Sequence, residues 1–273
     1  DRRRRPRSSQ GTRGGSAAPA IAKLAEPVDE AARSAPAIPQ LTITDPDISG
    51  TAAYAIQRAS IARRLARGER LVGMKMGLTS RAKMAQVGVD EMVWGRLTDK
   101  MRIEDGGAIS RAKVIHPRAE PEIAFLMGRR LEGAVSPAEA MAAVEAVSAA
   151  IEGIDSRYEN FKFTFPDVVA DNSSSSAFAV GPWASPYTDV ANLGMVMEID
   201  GRPKQIGSSA AILGHPARSL AAAARLLAEE GMALEEGWIV LAGGATAAEP
   251  LSPGMHVRLV AQGLGQVAFS VGA

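Results

Sequence analysis

The sequence predicts an α+β protein: a helical N-terminal segment, then a larger β-rich part interrupted by two helices. Three observations carry this. Ala52, Ala55, Ile56, Ala59, Ala62 and Leu65 recur at helical spacing and stop at Gly68. From Leu71 onward the pattern changes to short apolar runs punctuated by glycine, as in strands. Within that region, Ser136-Pro137-Ala138-Glu139 combines a capping box with proline at the first helical position, and Pro216 to Glu230 has a helical apolar stripe ending at Gly231.

In chain order, residues 1–20 form a basic arm. They hold six of the 31 Lys and Arg residues against one of the 30 acids, which leaves the rest of the chain at −4. The arm shows neither the apolar region of a secretory signal nor helical amphipathicity, so it reads as disordered. Residues 21–70 are the helical segment: Ile21 to Ser34 is one helix, Ala35-Pro36-Ala37-Ile38-Pro39 breaks it, and the second helix follows. Residues 71–273 are the catalytic β-rich domain. There the helix that begins at Pro137 is expected to turn Met141, Val144, Val147 and Ile151 inward, and the later one Leu220, Ala223, Ala224 and Leu227. Val168-Val169-Ala170 reads as a buried strand opening into the polar run Asp171 to Ser176.

Composition excludes several functions. With no cysteine there is no disulfide, thiolate-bound zinc, iron–sulfur cluster or thiol nucleophile, which suits a cytoplasmic setting. A body at −4 offers no footprint for nucleic acid, and no apolar run is long enough for a spanning helix. The histidines His116, His215 and His256 are each isolated, against a histidine-bound zinc.

The chemistry lies in carboxylates. Glu120 and Glu122 stand two apart at the start of an apolar stretch, so on a strand they share a face. Two like charges there are either a solvated face or a pair held by a hard cation. Glu152 adds a third acid inside an apolar run, where an unpaired charge is costly. Three such carboxylates make a Mg²⁺ or Mn²⁺ site with coordination positions left open for substrate. Lys75, alone in Val72-Gly73-Met74-Lys75-Met76-Gly77-Leu78, is either a paired active-site lysine or one snorkelling from a strand edge. The runs Asn172-Ser173-Ser174 and Gly243-Gly244-Ala245-Thr246 are oxyanion cradles or ordinary turns.

Gly73-Met74-Lys75-Met76-Gly77-Leu78-Thr79-Ser80, the Glu120-x-Glu122 segment and Glu152-Gly153-Ile154-Asp155-Ser156-Arg157 together resemble the fumarylacetoacetate hydrolase superfamily over roughly residues 21 to 273. Within it the chain is similar to the hydratase and decarboxylase branch of aromatic meta-cleavage catabolism. The resemblance implies a mixed, strongly curved β-core, metal ligation by Glu120, Glu122 and Glu152, and an active-site role for Lys75. It makes Leu78, Arg157, Lys162, Asn172, Ser173 and Thr246 the expected substrate contacts. A homo-oligomer is implied too, with a possible complex between the chain and a partner hydratase.

Hydratases of the branch carry an acid directly before an aromatic-glycine pair, where this chain has Val93 before Trp94-Gly95. Valine cannot shuttle the proton that hydration needs. The expected reaction is therefore metal-dependent decarboxylation of the small diacid 2-oxo-3-hexenedioate, with 2-hydroxypenta-2,4-dienoate hydration, or a non-catalytic subunit that scaffolds a partner hydratase, as the alternatives.

Overall fold

A computed structural model describes residues 17–273; of the expected arm over 1–20, residues 1–16 lie outside the described residues. Its last four residues belong to the first helix, α1 (Ala17–Ser34), which starts four residues before the predicted boundary. Ala35, at a φ of 61°, ends it. The short α2 (Leu41–Thr44) and α3 (Gly50–Ala66, capped by the Ser49 hydroxyl) complete the N-terminal segment.

The β-rich part follows with β1 (Leu71–Gly77), α4 (Arg81–Val87), β2 (Val93–Thr98), β3 (Arg102–Ile103), β4 (Ala108–Ile109), β5 (Arg118–Met127), α5 (Pro137–Met141) and β6 (Val144–Ile154). Then come α6 (Phe165–Ala170), β7 (Ser175–Val180), β8 (Gly194–Ile199), β9 (Arg202–Ser208), α7 (Pro216–Glu229), β10 (Ile239–Leu241), β11 (Glu249–Pro250), β12 (His256–Ala261) and β13 (Gly265–Val271). An eight-stranded mixed sheet runs β2-β1-β10-β5-β6-β7-β3, with β11 on β5; a five-stranded sheet runs β4-β13-β12-β8-β9.

Side-chain alternation divides the large sheet into two faces. Ile123, Phe125, Val147, Ile151 and Val240 point one way and pack with Met197, Leu259 and Phe269 of the second sheet in the main core. On the other, concave face, Ala124, Ala150, Phe178 and Leu241 pack with Leu97 and with Ile61 of α3. Further along that face the same rows of β1, β5 and β6 carry Lys75, Glu120, Glu122 and Glu152. The curl of the sheet thus converts an alternating pattern into an apolar floor beside a cluster of charges.

Four expectations are corrected. The helix at Pro137 has the predicted capping box but ends at Met141; Val144, Val147 and Ile151 lie on β6. Because β6 is covered on both faces along most of its length it is largely apolar, and a nearly continuous apolar run contains every helical spacing by default. Val168–Ala170 are the end of α6, not a strand. Their start signal was present: the Asp167 carboxylate accepts from the Thr164 amide and hydroxyl, with Pro166 in the first turn. The inward face of α3 is Ala53, Ile56, Gln57, Ser60 and Ile61, whereas Ala62 and Leu65 are exposed. Gln57 turns in because its amide donates to the carbonyls of Trp94 and Val169 and accepts from Arg96. Burying Ile56 and Ile61 contributes roughly 1.5–3 kcal/mol each to holding α3 on the sheet. Finally, α4, at Arg81–Val87, was not anticipated in the β-rich region.

α7 spans Pro216–Glu229 with Leu220, Ala223, Ala224 and Leu227 buried, as expected, and the His215 ring caps it by accepting from Ala217 N. No helix among the described residues is long and apolar enough to cross a membrane.

Candidate metal centre

Antiparallel pairing of β5 and β6 sets Glu120 directly opposite Glu152 and Glu122 opposite Ala150. Asp155, three residues after Glu152, accepts from the amides of Ile115 and His116, tying the approach to β5 against the end of β6. The outcome is three carboxylates each offering an oxygen within 4.8 Å of the others. Glu122 and Glu152 are fully buried and Glu120 is half-buried.

Two lysines answer them. Lys75, 3% exposed on β1, places Nζ 3.1 Å from Glu152 Oε1. Lys83, on α4, reaches Glu120 Oε1 at 3.2 Å. Gly243 N donates to Glu122 Oε2 at 2.9 Å. Even so, Glu122 Oε1 and both oxygens of Glu152 accept no hydrogen bond, because the Lys75 ammonium sits near Glu152 but off the line of one. Buried carboxylate oxygens without donors are costly, and an all-oxygen donor set suits a hard divalent cation. The residues fit such a metal.

Electrostatics point the same way. Burial and the facing carboxylates of Glu152 and Glu120 push Glu122 well above the ordinary range, with Lys75 opposing. Burial also raises Glu152, while Lys75 pulls it back. For Lys75 burial lowers the pKa, but the charges of Glu152, Glu120 and Glu122 outweigh it and the net shift is upward, so the ammonium stays protonated at neutral pH. Once a divalent cation displaces the protons, three ionised carboxylates, two lysines and the cation sum to one net positive charge, a site attractive to an anionic substrate.

This arrangement has a pH signature. Without metal, folded Glu122 and Glu152 hold protons that unfolded carboxylates, at 4.5, have released. Their stabilising contribution is complete below 4.5 and declines as pH rises through their raised folded values. Asp171, raised by burial to about 6 against the pull of Arg157, acts in the same sense. Asp29 and Asp167 are lowered from 3.8 and exert their opposite effect only in more acid solution. Thermal unfolding of chelator-treated protein should show Tm falling as pH rises above 4.5 and through about 6, where Asp171 titrates. Excess Mg²⁺ should reverse that slope, since metal displaces the protons; a Tm rising with pH in chelator would contradict the assignment.

The other expected contacts divide. Leu78, at a φ of 54°, follows Lys75 out of β1. Asn172, Ser173 and Ser174 form a left-handed turn, with φ of 51°, 53° and 58°, a conformation that costs of order 1–3 kcal/mol per residue. That turn sits against β1 and β2: a Cβ on Gly77 would meet Ser173 Oγ at 3.0 Å and one on Gly95 would meet Asn172 O at 2.4 Å. Ser173 therefore faces the end of β1, whereas the Asn172 amide is committed to the backbone N and O of Arg96. Arg157 is buried, 3.4 Å from Asp171 and donating to Ser175 O. Lys162 is exposed, and Thr246 donates to Ala247 O at 2.8 Å.

Three neighbours escaped sequence reasoning. Lys83 carries no spacing or isolation that marks it in the sequence; its relation to Glu120 depends on α4. Thr79 Oγ1 is buried without a partner beside Gly243, whose φ of 110° no side chain would tolerate there. Arg118 shares the strand face of Glu120 and lies 4.0 Å over the Phe161 ring. No histidine joins the carboxylates; His116 contacts Ser156 O and His256 contacts Ser270.

Residues 77–272 match the family described as fumarylacetoacetate (FAA) hydrolase C-terminal. The chain belongs to this family. Among fumarylacetoacetate hydrolase-type relatives it is 58% identical over 250 residues to a 4-oxalocrotonate decarboxylase from Pseudomonas sp., covering 92% of this chain and 97% of the relative. A 2-hydroxyhexa-2,4-dienoate hydratase from Comamonas testosteroni is 36% identical, covering 86% and 91%. The fold matches, at a TM-score of 0.90 and 41% identity, a 4-oxalocrotonate decarboxylase from Pseudomonas putida G7 complexed with magnesium and adipate, covering 93% of this chain and 98% of that one. The curled mixed sheet and flanking helices are thus those of the fumarylacetoacetate hydrolase fold.

Proposed function

We propose that this chain is a carboxy-lyase that converts 2-oxo-3-hexenedioate (4-oxalocrotonate) to 2-hydroxypenta-2,4-dienoate and CO2, using Mg²⁺ or Mn²⁺ held by Glu120, Glu122 and Glu152. The observation that carries it is the convergence of three carboxylates, with buried oxygens lacking donors, beside a protonated lysine. The 58% identity to a 4-oxalocrotonate decarboxylase supports the substrate, and the magnesium and adipate of the similar Pseudomonas putida structure support a metal and a diacid.

When bound, the cation supplies Lewis acidity at the 1-carboxylate and 2-oxo oxygens of the substrate. The bond between C5 and the departing carboxylate breaks, and its electron pair moves through C4 and C3 to the 2-oxo oxygen, which takes a proton to become the 2-hydroxy group. Lys75 Nζ, 3.1 Å from Glu152, would hold a positive charge beside that developing oxyanion and is the residue assigned to donate the proton. Leu78, Ser173 and Thr246 line the end of β1 and the Gly243-Gly244 turn as substrate contacts. For the second carboxylate, Arg118 and the exposed Lys162 are available, whereas Arg157 and Asn172 position the walls through Asp171 and Arg96.

Val93 stands opposite Gly77 on the concave face, two residues from the partner of Lys75. An apolar side chain at that point argues against hydration, the activity named for the Comamonas relative. Supporting the remaining parts of the reading, the cysteine-free composition suits a cytoplasmic enzyme, and the shared fold of hydratase relatives makes both a homo-oligomer and a complex with a partner hydratase reasonable assemblies. The basic N-terminal arm has no role in this scheme.

Purified protein with Mg²⁺ should release CO2 from 2-oxo-3-hexenedioate and stop when the metal is chelated. Hydration of 2-hydroxypenta-2,4-dienoate without CO2 release would replace the proposal by the hydratase reading; neither activity would point to the scaffolding subunit.

A further inference from the structure

The N-terminal segment and the β-core enclose a second concavity. It has a volume of about 530 Å³, within the range of small-molecule sites, and lies among α1, the end of α3, β3, β4 and Arg157; none of Lys75, Glu120, Glu122 or Glu152 lines it. Seven lining residues are cationic and two, Glu69 and Glu104, are acidic. Some of that charge is already answered. Arg33 pairs with Glu30, and Arg67 with the fully buried Asp29. Glu69 is engaged by the Thr98 hydroxyl.

Glu69 and Glu104 offset part of the remaining charge, though neither forms an ion pair among the described residues. Arg64, Lys100, Arg102 and Lys113 have no acidic partner among the described residues. Arg157 is 3% exposed, and its Nη1, though 3.4 Å from Asp171 Oδ1, makes no hydrogen bond. Arg64 stands in the last turn of α3, where a cation suits the helix dipole. The dipole does not account for a guanidinium that burial, aided by the neighbouring charge of Arg157, pulls down to about 10. An exposed basic face is ordinarily solvated and needs no ligand. Arg157, turned into a cavity with a buried donor unmet, and Arg64, half-buried on the same wall without an ion-pair partner, are a different situation, because the unmet Arg157 donor carries a desolvation cost that an anion would remove.

We infer that this cavity is a second ligand site that takes a small dianion, a phosphate or a short dicarboxylate, with Arg64 and Arg157 at its buried end and Arg102 and Lys113 at its mouth. The planar guanidinium of Arg64 would receive two oxygens side by side. The exposed lysine and arginine would add charge that weakens with salt.

Calorimetric titration of the Mg²⁺-loaded protein with inorganic phosphate, and separately with succinate, at constant ionic strength, tests this. At least one anion should bind saturably at a site that Arg64→Gln weakens by about tenfold or more and Lys113→Gln by severalfold. Saturation by phosphate alone assigns a phosphate ligand, and by succinate alone a dicarboxylate. No saturable binding of either anion, or binding that both substitutions leave unchanged, overturns the proposal. Arg102 and Lys113 are exposed, so Arg102→Gln and Lys113→Gln decide the matter should Arg64→Gln fail to fold.

Discussion

Replacing Glu122 with glutamine is expected to abolish metal-dependent turnover while leaving a folded protein. Glutamine keeps the volume and the carbonyl that accepts from Gly243 N, so the strand and the Gly243-Gly244 turn have no reason to move. What would be lost is one anionic ligand of the proposed three. Loss of groups that merely support a ligand already costs about 10–100-fold in metal affinity, so removal of the ligand itself should exceed that and bring CO2 release close to background. Two measurements check it: Mg²⁺ affinity by calorimetry and CO2 release at saturating metal. The same variant removes a buried carboxylate that must otherwise take up a proton, so its metal-free Tm should depend less on pH than that of the unaltered chain. Normal activity at limiting metal would overturn the ligand assignment.

Lys75→Met should separate metal binding from chemistry. Removing the ammonium 3.1 Å from Glu152 leaves three carboxylates with Lys83 as their remaining lysine neighbour. Breaking one partner from a buried ion pair costs about 3–5 kcal/mol, so the metal-free variant should melt well below the unaltered protein. Mg²⁺ should restore much of that loss, and its affinity should hold or increase because a competing positive charge has gone. Turnover should nonetheless fall by about 10²–10⁴, the usual worth of a positioned proton donor. Weakened metal binding, or unchanged turnover at saturating Mg²⁺, would show that Lys75 only neutralises charge.

Both predictions concern residues recognisable before any fold was known, since charges isolated in apolar stretches are conspicuous. Glu120-x-Glu122 carried its own geometry, because strand period places i and i+2 on one face whatever the strand pairs with. Elements whose signals are local were equally legible: the Ser136 capping box, the Pro216 helix and the Gly68 stop all stand in the structure. Those misread were the ones whose environment is double-sided or whose partners are remote. β6 looked helical because both its faces are covered along most of its length, and α6 looked like a strand because Val168-Val169-Ala170 is buried among α3, Tyr158 and Val93 of β2 without pairing in a sheet.

By itself, then, the sequence determined which side chains carry the chemistry, three carboxylates and a lysine isolated in apolar stretches with no thiol in the chain, and the helical and β-rich division of the chain. Tertiary structure decided which charges meet. The register of β5 on β6 brings Glu152 opposite Glu120, and parallel pairing of β1 with β10 carries Lys75 to the same concave face. Packing also reserves Asn172 for Arg96, commits Arg157 to Asp171, and recruits Lys83 to Glu120 from α4. The reason is physical: alternation along one strand is a local property, whereas register between strands distant in sequence is set by the curl of the whole sheet and the cores on its two sides.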